Sequence, residues 1–311
     1  MERRPLGTTG ITVSEIGLGA WQLANPDWGV QDAGEALQIV QAALDAGCDF
    51  FDTAPGYGAG RSEELLGQAL QPVRSRIALC TKFGHTADGH TTFDVGAIRP
   101  ALEASLRRLR TDYVDLYLLH SPPDDLLDGT RAPHYEELER LKAEGKLRAY
   151  GVSTDDRQQL ETVIETTHSG AVEILFNAFH QSPLAVFERA QARGIGLIVK
   201  VPLDSGWLSG KYRSESRFTG VRSRWSSDVI ARRAALVEQF AALAPAGVSL
   251  THAALQYILA QPEVSTVIPG AKSVGQIRDN IAAANEHLPA ATVRAIYALW
   301  EREVKDDPLP W

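Results

Sequence analysis

The sequence predicts an α/β fold: a closed (β/α)8 TIM barrel forming a single domain over residues 1–311. Three observations lead there. Short apolar runs alternate with longer amphipathic segments along the 311 residues, which implies parallel strands joined by crossover helices. The runs are nearly continuous in apolar residues, so both faces of the sheet are buried. Eight such runs can be counted. A doubly wound sheet shows the same alternation, but a count of eight favours the closed ring, a fold that alone can exceed roughly 250 residues. No Pro/Gly/Ser-rich linker or composition shift marks a domain boundary.

The elements follow in order. Residues 4–14 carry turn signals at Gly7 and Gly10, and predict a small N-terminal β-hairpin over the barrel floor. Glu15–Gly19 predicts the first strand. Asp32–Ala46 predicts a helix with Ala36, Ile39, Val40 and Ala43 on one face. Cys48–Asp52 is the second strand, and Ser62–Leu70 a helix with Ser62 as its cap and Glu63 and Glu64 in its first turn. Ile77–Lys82 is the third strand. Asp94–Arg108 is a helix whose Val95, Ile98, Leu102, Leu106 and the following Leu109 recur at three- and four-residue steps.

Tyr113–His120 is the fourth strand, Tyr135–Ala143 a helix ending near Gly145, and Leu147–Val152 the fifth strand. A helix at Asp156–Thr166, a strand at Val172–Phe176 and a helix at Ala185–Arg193 follow; Gly194 suits a left-handed position after the helix end. Ile195–Val201 is the seventh strand. After a longer irregular and helical stretch come a helix at Leu250–Ala260, the eighth strand at Ser265–Ile268 and a helix at Ser273–Ala284. An additional C-terminal helix covers Ala290–Val304.

Composition excludes several functions. Lys and Arg number 31 against 39 Asp and Glu, a net charge of −8, which argues against nucleic-acid binding by bulk charge. No apolar run approaches the roughly 20 residues that span a bilayer, and the first seven residues lack the apolar core of a signal peptide. A cytoplasmic protein without membrane association is expected. The oligomeric state is left open. Cys48 and Cys80 lie in apolar stretches without CxxC spacing, as two reduced core thiols would.

Chemistry in such barrels sits where strands run into their following loops. Asp52 closes the second strand, Lys82 the third and His120 the fourth, and Tyr57 lies in the loop after Asp52. Each also has an ordinary structural use: an Asp capping a helix, a solvated Lys, a packing Tyr, a satisfied His. Their joint placement allows an acid, a phenol, an amine and an imidazole to converge on one point. His85, His90 and His134 lack a carboxylate or Cys partner at ligand spacing and are expected as solvated loop residues, so no metal site is assigned.

Gly17-Leu-Gly19 and Gly56-Tyr-Gly58 each begin a GxG, the opening of a dinucleotide-binding motif. Position 22 is Gln and position 61 is Arg, so neither completes GxGxxG. The loops after strands seven and eight offer another phosphate site. The first runs Asp204-Ser-Gly-Trp-Leu-Ser-Gly210, with small residues that let backbone amides approach an anion. The second, Gly270-Ala-Lys-Ser273, opens a helix. Segment Lys211–Arg224 carries Lys211, Arg213, Arg217, Arg222 and Arg224 in an acidic chain; it fits either a lid over a bound ligand or a solvated loop.

Four segments carry a family resemblance: DTAPGYGAGRSEELLGQAL at Asp52–Leu70, LEASLRRLRTDYVDLYLLHSP at Leu102–Pro122, PLDSGWLSGKY at Pro202–Tyr212 and VIPGAKSVGQIRDN at Val267–Asn280. Spread along the chain in this order, they make it resemble the aldo-keto reductase superfamily over nearly its full length. The resemblance implies a catalytic tetrad of Asp52, Tyr57, Lys82 and His120. It implies hydride transfer from NADPH, with NADH possible, to an aldehyde or ketone on a small-molecule substrate. Tyr57 would be the general acid. A free phenol has a pKa of about 10, so the Lys82 ammonium, held by Asp52, would favour the phenolate, while His120 would donate to the oxyanion.

For the cofactor, the resemblance places Ser153 and Glu173 near the nicotinamide amide, Lys200 at its face, and Pro202, Leu203, Ser205, Gly206 and Leu208 along the loop after strand seven. Gly270, Lys272 and Ser273 follow strand eight, with Lys272 and Ser273 where a 2′-phosphate would bind. Gln276, Asp279 and Asn280 lie around the adenine, with Arg278 nearby. A cationic helix start without an acidic ribose partner leans to NADPH.

Three departures stand out. Ser153-Thr154 replaces a usual Ser-Asn, Glu173 a Gln, and Lys200 a stacking aromatic. Lys200 is open to pairing with Glu173, a phosphate or the substrate. Trp21 and Trp28 are candidates for a substrate pocket, with Phe83 and Trp225 as further aromatics whose alternative is core packing. Two other functions remain: a cofactor-binding regulatory subunit with little turnover, as in ion-channel β subunits, and a metal-free lyase using Lys82 as Schiff-base nucleophile.

Overall fold

The computed structural model describes residues 1–25 and 29–310. The predicted substrate residue Trp28 lies outside them. The chain opens with an antiparallel hairpin, β1 (Arg3–Pro5) and β2 (Thr12–Ser14). Its turn uses positive φ at Gly7 (54°) and Gly10 (74°), a region glycine enters without steric cost. Eight parallel strands follow: β3 (Leu18–Gly19), β4 (Phe50–Asp52), β5 (Ala78–Phe83), β6 (Val114–His120), β7 (Leu147–Thr154), β8 (Ala171–Leu175), β9 (Gly196–Lys200) and β10 (Val264–Val267). They pair in sequence order. Between β10 and the first strand, parallel bridges Ile16–Val267 and Gly19–Gly270 close the ring, with Gly17 N–H donating to Val267 O at 2.8 Å and Val267 N–H to Glu15 O at 3.0 Å.

The first strand is shorter than Glu15–Gly19 predicts. Gly17 and Gly19 make close backbone approaches: a Cβ on Gly17 would stand 2.8 Å from Phe50 O, and one on Gly19 2.7 Å from Ile268 O. Helices α1 (Ala33–Asp45), α2 (Arg61–Leu70), α3 (Ile98–Leu109), α4 (His134–Ala143), α5 (Arg157–Thr166) and α6 (Phe187–Ala192) cover the outside. Further helices are α7 (Ser227–Leu243), α8 (Leu250–Leu259), α9 (Val274–Ala282) and the C-terminal α10 (Ala290–Glu303). Asp32, Asp156 and Ser273 cap α1, α5 and α9 by accepting from backbone N–H groups.

Ser62 is not a cap. Gly60, at φ 86°, takes that position, and Ser62 is buried inside α2, donating to Ala20 O and accepting from Thr53 Oγ1. The left-handed turn before the helix needs glycine, which displaced the Ser. Gly194, at φ 74°, does follow the end of α6.

The core has two parts. An outer cluster lies between strands and helices. The inner plug contains Phe50, Ala78, Cys80, Leu116, Leu118, Ala149, Ala171 and Ile198, closed below by Leu6, Ile11 and Val13 of the hairpin segment. The hairpin thus seals the N-terminal end and leaves the C-terminal end open for chemistry. Cys48 and Cys80 are both buried and free of disulfide bonding; burial pushes the Cys48 thiol up to about 12. Among the described residues no helix is long and apolar enough to cross a membrane.

Candidate active site

The four residues singled out at strand ends meet at the open mouth. Asp52 ends β4, Lys82 lies near the end of β5 and His120 ends β6. The Lys82 ammonium donates to both Asp52 carboxylate oxygens at 2.6 Å and to Thr53 O at 3.2 Å. Its nitrogen stands 5.3 Å from the centroid of the Tyr57 ring. The Tyr57 ring meets the His120 ring edge-on at 5.8 Å and tilts toward Trp21 at 6.2 Å. Trp21 is 39% exposed, so it stands at the rim.

A second carboxylate joins this cluster. Glu173, on β8, places Oε2 3.2 Å from the Lys82 nitrogen and accepts at Oε1 from Ser153 Oγ at 3.1 Å. Lys200 donates to Ser153 Oγ at 2.8 Å and pairs with Asp155 at 2.9 Å. Lys200 therefore reaches Glu173 through Ser153 and takes Asp155 as its direct carboxylate. Asp52, Cys80 and Glu173 each bring a ligand atom within 4.8 Å of one another, and the Lys82 ammonium supplies the positive charge beside them.

The electrostatics follow from burial and these neighbours. Burial and the negative charge of Glu173 push the Asp52 carboxyl up to about 7, against the pull of Lys82. Burial also acts to raise Glu173, but Lys82 and Lys200 outweigh it and hold that carboxyl low. Burial alone would depress Lys82; the two carboxylates overcome it and keep the amine protonated. An ammonium so held is the wrong form for Schiff-base attack. Burial, then the charges of Lys82 and Lys200, push His120 well below its ordinary value, so the imidazole is neutral.

Tyr57 differs from the sequence expectation. Burial raises its pKa above the ordinary phenol value, and Lys82 offsets this only in part. The phenol therefore keeps its proton at neutral pH. The pull of Lys82 toward the phenolate is outweighed by burial.

The mouth opens into a cavity of about 680 Å³. Asp52, Tyr57, His120, Trp21, Glu173 and Lys200 line one end. Pro202, Leu203, Ser205, Gly206, Gly270, Lys272, Gln276, Asp279 and Asn280 line the rest, with Lys211, Arg222 and Arg224 at its edge. Of the expected nucleotide residues, Leu208 is instead packed in the core. Ser153 is buried behind the wall, and Ser273 accepts from Gln276 N–H as the cap of α9. Gln276 in return accepts from Lys272 N–H at 2.8 Å. Arg278 is exposed and outside the lining.

The loop after β9 is strained, with positive φ at Val201 (53°), Asp204 (46°), Ser205 (54°) and Gly206 (95°). Such angles for non-glycine residues persist only where surroundings fix them. Asp204 is buried against Arg233 of α7, whose Nη2 also donates to Pro310 O at 2.9 Å. The basic segment Lys211–Arg224 is tied down by rings: Trp207–Tyr212 at 5.4 Å, Tyr212–Phe218 at 4.9 Å and Phe218–Trp225 at 5.1 Å. Lys211, Arg222 and Arg224 of this segment line the cavity, while Arg213 and Arg217 are exposed. The open groove, the small-residue loop and the cations at one end fit a nicotinamide dinucleotide in shape and charge.

Several expectations change. His134 is not a solvated loop residue: it is buried in α4, with Nε2 2.6 Å from Phe93 O. His85 is partly exposed beside the site, its ring 4.9 Å from that of His120. Phe83 and Trp225 take the packing alternative, the first against Phe93 and the second against Arg233. Asp155 and Gln22 line the cavity without having been singled out. Asp155 follows Ser153-Thr154 directly, and its acidity two residues past a strand-end Ser was the available signal.

A family model described as the aldo/keto reductase family matches residues 15–301. An uncharacterized oxidoreductase of Bacillus subtilis, YqkF, is 33% identical over 98% of each chain. The NADH-specific methylglyoxal reductase of Escherichia coli is 30% identical, over 94% of this chain and 96% of its own. Among solved structures, the holo form of an aldo-keto reductase from Bacillus halodurans matches with a TM-score of 0.83, 29% identity and coverage of 100% of both chains.

Proposed function

Because this chain belongs to the aldo/keto reductase family of oxidoreductases, we propose that it reduces aldehyde or ketone carbonyls of small molecules to alcohols with NADPH. The observation that carries this reading is the meeting of Asp52, Tyr57, Lys82 and His120 at the end of a groove that runs on to Lys211, Arg222 and Lys272. A bound nicotinamide nucleotide supplies the hydride. Everything else falls to the residues described.

Tyr57 holds a proton at neutral pH and gives it to the carbonyl oxygen as negative charge develops there. The phenolate left behind is stabilised by the Lys82 ammonium, whose charge Asp52 and Glu173 maintain. His120 is neutral and offers one ring N–H to the same oxygen, which orients the carbonyl and stabilises the oxyanion. Trp21 forms an apolar wall at the rim and helps exclude water.

Nucleotide choice is read from charge. Burial lowers the Lys272 pKa, and the charges of Lys211 and Arg222 add to it; the clustering of these cations along the groove suits an anion. A 2′-phosphate is that anion, so NADPH is favoured. The E. coli relative is named as NADH-specific, which makes NADH the competing choice. The test is fluorescence titration of the six tryptophans with each nucleotide. NADPH should bind tighter, and Lys272→Gln should weaken NADPH by about tenfold while leaving NADH nearly unchanged. Equal loss for both nucleotides would remove the 2′-phosphate assignment.

A further inference from the structure

We propose that Lys200, Ser153 and Glu173 form a proton-supply line that reloads Tyr57 from solvent, entering the Lys82–Asp52 pair through Glu173. It rests on the reading of Tyr57 as general acid and adds to it how that acid is recharged.

Polar contacts lead from the rim to Lys82. Asp155 is 47% exposed and touches the Lys200 ammonium at 2.9 Å; Lys200 is 14% exposed. Lys200 donates to Ser153 Oγ at 2.8 Å, and Ser153 donates to Glu173 Oε1 at 3.1 Å. The other oxygen of Glu173 stands 3.2 Å from the Lys82 nitrogen. Exposure falls from the rim to fully buried Lys82 along this path. Both internal donor directions point inward. Ser153 has one donor and two acceptor lone pairs, so a lone pair remains for a carboxamide N–H and the line is compatible with a bound nucleotide. The groups facing Glu173 are Asp52 from β4, Cys80 and Lys82 from β5, Ser153 from β7 and Lys200 from β9; Tyr57 and His120 face Lys82 from the mouth.

The proton count closes. Tyr57 O–H breaks and the alcohol O–H forms. Lys82 returns a proton to the phenolate oxygen. The Asp52/Glu173 pair passes the proton it holds to the Lys82 amine. Ser153 gives its hydroxyl proton to Glu173 and takes one from Lys200, which recovers its own from water beside Asp155. One solvent proton enters for each alcohol formed. Lys200, Ser153 and Glu173 act on Tyr57 through Lys82.

The experiment compares the first turnover with later ones. Tyr57 starts loaded, so the first turnover does not need the line. Stopped-flow oxidation of saturating NADPH with 4-nitrobenzaldehyde is recorded for wild type, Ser153→Ala and Glu173→Gln, at about pH 6 and about pH 8.5. The expected result is that, in each variant, the rate of later turnovers relative to that variant's own first turnover falls about tenfold below the wild-type ratio at the higher pH, with a smaller fall at the lower one. In nucleotide-free protein, the infrared band of a protonated buried carboxyl should titrate at lower pH in Glu173→Gln, because Asp52 loses its negative neighbour.

Unchanged later turnovers in both variants would overturn the proposal, since Tyr57 would then reload across the open mouth. A first turnover slowed as much as the later ones would overturn it too, by making these residues merely part of the site's shape. A failure of the underlying reading looks different: Tyr57→Phe would turn over like wild type.

Discussion

The ammonium of Lys82 stands 2.6 Å from both carboxylate oxygens of Asp52, and neither side chain is more than 4% exposed. Such a pair is costly to break from one side, because the remaining charge stays buried and uncompensated. Here the cost doubles in kind: without the ammonium, Asp52 and Glu173 face each other. Lys82→Met should lower unfolding free energy by about 3–5 kcal/mol in denaturant titrations. Adding Glu173→Gln to that variant should recover part of the loss. A single variant as stable as wild type would mean that the carboxyl pair is already neutral.

His120 gives a pH prediction with a defined sign. Its folded pKa is depressed by burial and by Lys82 and Lys200. The unfolded chain therefore binds more protons here below about pH 6.5, and the stability tied to a neutral His120 is lost as pH falls. The stability of wild type relative to His120→Gln should decline between about pH 7 and about pH 5, by up to about 1.4 kcal/mol per pH unit. Using the difference cancels the opposite trend from Asp52, whose raised pKa favours folding at lower pH. A flat difference would show that His120 protonates freely in the folded protein.

Arg233 carries the third prediction. It is fully buried, bound to Asp204 and to the Pro310 carbonyl, and so joins α7 and the C-terminal segment to the strained loop at Val201–Gly206. Arg233→Met leaves Asp204 as a lone buried carboxylate, and unfolding free energy should drop by about 3–5 kcal/mol. The loop also lines the nucleotide groove, so the Kd for NADPH should rise by about tenfold. Loss of stability with unchanged nucleotide affinity would separate the anchor from the loop.

The barrel was legible because its signals are local and repeated. Eight apolar runs and intervening amphipathic segments read the same way along the chain, and residues at strand ends had to share one rim. That placement brings Asp52, Lys82 and His120 together with Tyr57, and the family resemblance is what makes a tetrad of them. What was not legible depends on single backbone choices and on closure. Ser62 looked like a cap, but the left-handed turn at Gly60 moved the helix start. His134 looked like a loop residue because its partner, the Phe93 carbonyl, is 41 positions away. Lys200 is open to three partners in the sequence; only the pairing of β7 and β9 on either side of β8 sets Ser153 between it and Glu173 and leaves Asp155 beside it. The Tyr57 pKa is hidden from the sequence for a similar reason. The sequence offered the nearby cation but no measure of burial, which is the larger effect.

The central claim is that Tyr57 delivers the proton in a nicotinamide-dependent carbonyl reduction. The most direct measurement is NADPH consumption with a panel of aldehydes, such as 4-nitrobenzaldehyde and methylglyoxal, for wild type and Tyr57→Phe side by side, with nucleotide binding checked in both. Turnover in wild type, a loss of about 10²–10⁴-fold in the variant and unchanged NADPH affinity is the predicted result. Equal rates in the two proteins would contradict it.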